Sequence, residues 1–120
     1  MSNFVVVPPY DYIAELLRLA PAFEVSPEFR SLASDERASA SLVFSAFAKF
    51  FESSFADESA INQCKNTMES FAARNDLQGH NLLVTEVFEG FRYPDLSANL
   101  LLPISRALYD RWIVKEGHPP

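Results

Sequence analysis

Hydrophobic residues along this chain recur at intervals of three and four, the spacing that places side chains on one face of an α-helix. The clearest stretch carries a broad apolar stripe formed by Val43, Phe44, Phe47, Phe50, Phe51 and Phe55. The chain holds three glycines among 120 residues, fewer than an all-β protein of this size normally needs for its turns. The pattern therefore predicts an all-α protein.

The apolar pattern divides into five to seven short helices joined by tight connections. In approximate numbers, these helices cover residues 10–20, 27–33, 35–54, 57–75, 82–92, 95–101 and 103–116. Their lengths and order predict a compact bundle or an array of helical hairpins, with residues 1–120 forming a single domain. Residues 1–9 are expected to form an extended lead-in, and residues 117–120 a flexible tail.

Prolines and small polar residues mark several helix ends. Pro21 is expected to end the first helix, because proline lacks the amide donor and clashes with the preceding turn. Ser26 is a predicted N-cap in front of a proline, and Pro103 is the predicted first residue of the last helix. Asp95 or Ser97 is expected to start the short helix before it.

The start of the long central helix and the segment after residue 75 are less regular. Either Ser34 or Asp35 is expected to cap the long helix. Residues 76–79 are predicted to form a turn, after which Asn81 caps the next helix. A weak internal echo also occurs, in which Leu42–Val43 with Phe47 recurs as Leu83–Val84 with Phe88, 41 residues later. That period suits paired-helix repeats, but the echo leaves open whether the helices form true repeats.

The composition supplies both a core and an acidic surface. Hydrophobic residues make up 48% of the chain, and eleven of them are phenylalanine. The formal net charge is −6, and residues 1–36 hold six acids against two bases. No cluster of Lys and Arg is present, so neither nucleic acid nor an anionic membrane surface is an expected partner. A basic protein partner suits this charge better.

The start of the chain has neither a basic leader nor a long apolar stretch, so no secretory signal is expected. The longest purely aliphatic run, Leu100–Leu102, is far shorter than the roughly 20 residues that span a bilayer. We therefore predict a cytoplasmic protein.

The residues most able to carry chemistry are few, and each has a structural interpretation. Cys64 lies on the same predicted helical stripe as Ile61 and Met68, a pattern typical of a buried cysteine. A nucleophilic thiol would instead need a neighbouring base and partial exposure. A single cysteine also excludes an intrachain disulfide.

The histidines and paired carboxylates do not form a metal site in the sequence. His80 follows the predicted turn, either as an exposed loop residue or as part of a helix start, and His118 lies in the tail. Neither has further ligands at a suitable spacing. Glu86 and Glu89 share one helical face and alternate with apolar residues, as on a solvated surface. No Glu-x-x-His pattern of a di-iron bundle occurs. We predict no catalytic residue, no metal and no cofactor.

The last helix carries a stripe of basic and aromatic residues. Arg106 and Arg111 lie near Tyr109 and Trp112, and Asp110 interrupts the basic run. Such a stripe can stack nucleic-acid bases, but the interruption favours surface ion pairs with the aromatic rings packed beneath them.

Three stretches resemble a family of small bacterial helical proteins of unknown function, often regarded as immunity proteins of polymorphic or contact-dependent toxin systems. Residues 81–89, Asn-Leu-Leu-Val-Thr-Glu-Val-Phe-Glu, resemble the central segment of that family. Residues 101–112 are similar to its last helix, and residues 12–17, followed by Phe23, also fit. The resemblance implies a stoichiometric inhibitor of a toxin domain and brings no catalytic residues.

Together these observations predict a protein-binding module rather than an enzyme, most specifically an immunity protein that neutralises a bacterial toxin domain, which would be basic. The partner-binding acids would then be Asp11, Glu15, Glu24, Glu28, Asp35 and Glu36, which could equally be ordinary solubilising charges. The alternative is a helical structural or adaptor subunit of a phage or regulatory assembly, with Tyr93, Tyr109 or Trp112 as anchors. The oligomeric state is left open.

Overall fold

Helices are the only regular elements within residues 11–115, the part of the chain that the computed structural model describes. The eight α-helices are α1 (Tyr12–Leu19), α2 (Pro21–Glu24), α3 (Pro27–Arg30), α4 (Ala40–Ser53), α5 (Glu58–Ala73), α6 (Leu77–Leu82), α7 (Pro94–Leu100) and α8 (Pro103–Tyr109). The predicted all-α class is confirmed, with more and shorter segments than expected. The predicted lead-in and tail lie outside the described residues.

Four helices of the first half begin with a side-chain cap supplied by the residue just before them. Asp11, Ser26, Ser39 and Asp57 each accept a hydrogen bond from the amide three residues further on, at 2.9–3.3 Å. These bonds satisfy amides that the first turn of a helix leaves without a partner. The cap predicted at Ser26 is therefore confirmed.

The cap predicted for α4 at Ser34 or Asp35 is wrong, because the chain first forms a separate 3₁₀ turn at Glu36–Ala38. Glu36 accepts a hydrogen bond from the amide of Ala33 at 2.6 Å. The guanidinium of Arg37 donates to the carbonyls of Arg30 and Leu32. These bonds hold residues 30–37 in a separate turn, so α4 begins only at Ala40.

The turn predicted at residues 76–79 is helical instead, and Asn81 lies inside the helix rather than at its cap. Asp76 precedes α6, and its carboxylate accepts a hydrogen bond from the hydroxyl of Tyr12 at 3.0 Å. A Cβ on Gly79 would lie 3.4 Å from the Tyr12 ring and 2.8 Å from the Asp76 carboxylate. The distance to the Tyr12 ring is an ordinary van der Waals contact, so glycine at this position leaves room for the Asp76 carboxylate and does not form a turn.

Two helices continue past their α-helical portion as π-helix. The end of α6 runs directly into Leu83–Phe88, and α8 runs into Asp110–Lys115. The amide of Glu89 bonds to the carbonyl of Val84 at 3.0 Å, five residues back, as a π-helical turn requires. These two π segments are called π6 and π8 below.

The amino end of α7 is held by a carboxylate from α4. Tyr93, which precedes Pro94, supplies no side-chain cap. Glu52 instead accepts hydrogen bonds from the amides of Arg92 and Tyr93 and from the hydroxyl of Ser97, at 2.8–2.9 Å.

The amino end of α8 is held in the same manner by α5. Leu102, which precedes Pro103, supplies no cap. Glu69 accepts from the amides of Ile104 and Ser105 and from the Ser105 hydroxyl, at 2.9–3.0 Å. The predicted role of Pro103 as the first helical residue is confirmed.

Phenylalanine rings form most of the core. Phe23 of α2 lies 5.3–5.6 Å from the ring centroids of Phe29, Phe47 and Phe50, within the range in which aromatic pairs attract. The predicted stripe on α4 is buried except for Phe55, which is half-buried. The core therefore forms where the helical spacing placed it.

The positions of the internal echo match only in part: Val43 and Val84 are both buried, as are Phe47 and Phe88. Leu42 is 45% exposed on α4, whereas Leu83 is 1% exposed on π6.

In the described part of the chain, no helix is both long enough and apolar enough to cross a bilayer.

Candidate functional site: the groove between α6 and α8

The single cysteine belongs to the core. Cys64 is fully buried, and this burial raises the pKa of its thiol to about 12. A thiol with this pKa stays protonated at neutral pH, whereas a nucleophile or metal ligand must be a thiolate. The core position predicted for Cys64 is confirmed.

His80 lies within α6, so of the two predicted placements the helix start is the one that the structure supports. The Nε2 of His80 lies 3.0 Å from the carbonyl oxygen of Ala72, at the end of α5, where it links the two helices. His118 lies outside the described residues. Among residues 11–115, no group of three or more His, Cys, Asp or Glu residues is arranged to hold a metal ion.

Four of the six acids that were predicted to contact a partner protein instead form hydrogen bonds or ion pairs within this protein. Asp11 caps α1, Glu36 accepts from Ala33, and Glu28 accepts from the hydroxyl of Ser53 at 2.9 Å.

Glu15 forms ion pairs with Arg18 at 2.5 Å and with Arg74 at 2.6 Å. The hydrogen bond from Arg18 is the largest cause that lowers the pKa of Glu15, and Arg74 adds to it against the opposing effect of burial. Glu24 and Asp35 are exposed and have no partner among the described residues.

An open groove of about 600 Å³ runs between α6 with π6 and α8 with π8. Its lining residues are Leu77, His80, Asn81, Val84, Thr85, Glu89, Leu108, Arg111 and Trp112. Val84 and Leu108 are buried at its base. Leu77 is 74% exposed and Trp112 is 41% exposed, so large apolar groups border the groove.

The last helix has one buried and one exposed aromatic residue. Tyr109 is buried against Phe88, at 5.4 Å between ring centroids. Trp112 faces the groove, and the Arg111 guanidinium lies 5.3 Å from its ring centroid. The prediction that both rings pack beneath surface ion pairs is therefore wrong for Trp112. The predicted surface pairing is present as Arg106 with Asp110, at 3.0 Å.

Exposed apolar side chains are concentrated in the second half of the described chain. Six of the eight large hydrophobic residues with high exposure lie there: Leu77, Tyr93, Leu96, Ile104, Trp112 and Val114. The other two are Val25 and Leu42. Two of these residues, Leu77 and Trp112, border the groove. Single exposed apolar residues are ordinary, but large apolar groups on both sides of one concave surface are typical of an interaction site.

The groove is not apparent from the sequence, because the pattern at residues 76–79 predicts a turn instead of the helix that forms one wall. Leu77 and Val84 are seven residues apart, the spacing of two helical turns, and this was the available indication that they share a face. The position of Trp112 opposite them depends on how α8 packs and has no local indication.

Comparisons with protein-family models, curated proteins and solved structures found no match to this chain.

Proposed function

We propose that this protein is a protein-binding module, and most specifically an immunity protein that binds and neutralises a bacterial toxin domain. The observation that carries the proposal is the open groove of about 600 Å³, which is bordered by two exposed large apolar side chains, Leu77 and Trp112. Aromatic residues at the centre of a concave surface are typical anchors of protein interfaces.

The positions of Cys64 and His80, the two described residues most able to take part in chemistry, also favour a binding protein over an enzyme. Cys64 is buried and His80 bonds to a backbone carbonyl. A nucleophile needs an adjacent base and access to a substrate, and a buried thiol has no such access.

The resemblance and the charge add two further supports. The two longer stretches that resemble immunity proteins, residues 81–89 and 101–112, each contribute lining residues to the groove. A net charge of −6 would speed association with a basic domain, as found in many toxins that act on nucleic acid. A cytoplasmic location is part of the same proposal.

The test is co-expression of this chain with the product of the adjacent open reading frame. We expect that product to arrest growth when expressed alone, and this protein to restore growth and to co-purify with it at equal stoichiometry. An adjacent product that is harmless, or growth arrest that this protein does not relieve, would refute the proposal.

A helical adaptor subunit is the second candidate, supported by the 53% exposure of Tyr93 together with that of Trp112. Tyr109, the third predicted anchor, is buried and unavailable for this role. Light scattering coupled to size-exclusion chromatography separates the two candidates. A stable homo-oligomer that Tyr93→Ala dissociates favours the adaptor, and a monomer favours the inhibitor.

A further inference from the structure

The groove has the shape of a site for a helix. Both of its walls are helical, and the wall from Leu77 to Phe88 consists of six residues of α6 followed by six of π6, about three helical turns. A docked helix of about three turns would span this wall. Amphipathic helices commonly bind in apolar grooves of this kind, with anchors spaced three, four and seven residues apart.

The rim of the groove carries one cation and one anion that form no ion pair within residues 11–115, and the cation, Arg111, lies over the Trp112 ring. Arg111 is exposed, and within residues 11–115 no carboxylate lies within ion-pair distance of it. Glu89 is also exposed, and it has no cationic partner in the same part of the chain. The charge pattern is therefore complementary to a segment that carries an acid for Arg111 and a base for Glu89.

The walls of the groove are joined to the core and to each other. Phe88 and Tyr109 connect π6 with α8 beneath the groove. His80 ties α6 to the carboxyl end of α5, and Glu69 holds the amino end of α8. A preformed surface loses less conformational entropy on binding than one that must first become ordered.

We propose that this groove binds an amphipathic helix of a partner protein, whose apolar face covers Leu77 and Trp112 and whose acidic side chain pairs with Arg111. This inference rests on the proposed function and names both the surface and the chemistry of the partner. It assigns binding to the groove rather than to the acids of residues 11–36.

The probe is a displayed library of 14-residue peptides with helical apolar patterning and randomised flanks, selected on the intact protein. Enriched peptides are expected to share apolar residues at helical spacing and one Asp or Glu beside them. Leu77→Asp and Trp112→Ala are each expected to weaken the affinity of a selected peptide at least tenfold.

The matched controls are Val25→Asp and Leu42→Ala, which alter residues of similar exposure, 63% and 45%, away from the groove. They are expected to leave the affinity within about twofold, the scatter typical of substitutions outside an interface. Circular dichroism verifies that each variant folds. Failure to enrich a helical peptide, or equal losses in groove and control variants, would overturn the proposal.

A charge exchange tests the pairing with Arg111. Replacing the acid of a selected peptide by Lys is expected to weaken binding to the natural protein about tenfold, and Arg111→Glu to recover most of that loss. Absence of recovery overturns the assigned pairing. These measurements use peptides alone, so their failure is distinct from a failure to relieve growth arrest in co-expression.

Discussion

The two halves of the described chain start their helices in different ways. In residues 11–73, four helices carry a cap from their own sequence, as Asp57 does for α5. In residues 77–115, α7 and α8 depend on Glu52 and Glu69, which come from α4 and α5. The first half also supplies most of the acids with local partners, while the second half supplies most of the exposed apolar side chains.

The residue before each helix-starting proline accounts for much of this difference. Ser26 precedes Pro27 and can cap α3 itself, whereas Tyr93 and Leu102 have no suitable acceptor at that position. α2 in the first half follows the same rule, because Ala20 cannot cap it and Gln63 of α5 accepts from the amide of Ala22 at 2.9 Å. Helices without their own cap are therefore stabilised only when the tertiary structure forms.

The largest effect is expected for Glu69→Ala, which removes the acceptor of two amides and one hydroxyl at the start of α8. Loss of hydrogen bonds to a charged group should lower the free energy of unfolding by about 2 kcal/mol. Urea denaturation measures this loss, and hydrogen exchange should show weaker protection in α8 than in α4.

Two controls define the effect of Glu69. Glu69→Gln keeps one acceptor oxygen and should lose about half as much, because its hydrogen bonds lack the assistance of charge. Glu89→Ala removes an exposed carboxylate and should change stability by less than about 0.5 kcal/mol. If Glu69→Ala weakened hydrogen-exchange protection in α4 as much as in α8, the conclusion that Glu69 specifically holds the amino end of α8 would be contradicted.

A smaller effect is expected for Asp57→Ala, which removes the local cap of α5. N-cap removal typically costs about 1 kcal/mol. Asp57→Asn can still accept the amide of Ala60 and should remain within a few tenths of a kcal/mol of the natural protein. If the Asn variant is as unstable as the Ala variant, the charge of Asp57 rather than its cap is responsible.

The next effect is the dependence of stability on pH. Burial by itself raises the pKa of Glu69, but hydrogen bonds from Ser105 and Ile104 outweigh it and leave the pKa below its ordinary value of 4.5. The folded state thus binds the proton less tightly than the unfolded state. The stabilisation is complete above about pH 4.5 and disappears as the pH falls through the lowered value.

The measurement is the free energy of unfolding between pH 3 and pH 7 for the natural protein and Glu69→Gln. The two curves should converge as the pH falls below 4.5, because protonation removes the advantage of the carboxylate. Glu15, whose pKa is also lowered by Arg18 and Arg74, should contribute in the same direction in both proteins. Parallel curves over the whole range would contradict this assignment.

The smallest effect on stability is expected for Leu77→Asp, since this side chain is 74% exposed. The free energy of unfolding should stay within about 0.5 kcal/mol, while binding through the groove is lost. A large destabilisation measured by urea denaturation would mean that Leu77 supports the fold instead of a partner.

The local parts of this structure were predictable from local patterns. The buried stripe of α4, the cap at Ser26 and the proline start of α8 each depend on residues within one or two turns of each other. The start of α6 was mispredicted because Gly79 suggested a turn. Gly79 instead lies inside α6 and leaves room for the Asp76 carboxylate, whose hydrogen bond from the Tyr12 hydroxyl joins residues 64 positions apart in the chain.

The candidate site was less predictable than the fold. The acids of residues 11–36 were identified from charge alone, and a formal charge does not show which carboxylates already have an internal partner. Glu15, for example, pairs with Arg74, which is 59 residues away. Trp112 was identified as a candidate anchor, but its place in a groove with Leu77 was not.

The amino-acid sequence by itself determined the helical class, the aromatic core and the helices that carry their own caps, because each follows from the spacing of neighbouring residues. The tertiary structure decided which helices receive caps from elsewhere, which acids are left without partners and where the groove forms. These features depend on atoms brought together from distant parts of the chain. Glu69, an ordinary polar residue of α5 by its pattern, acquires its role only when α8 lies against it.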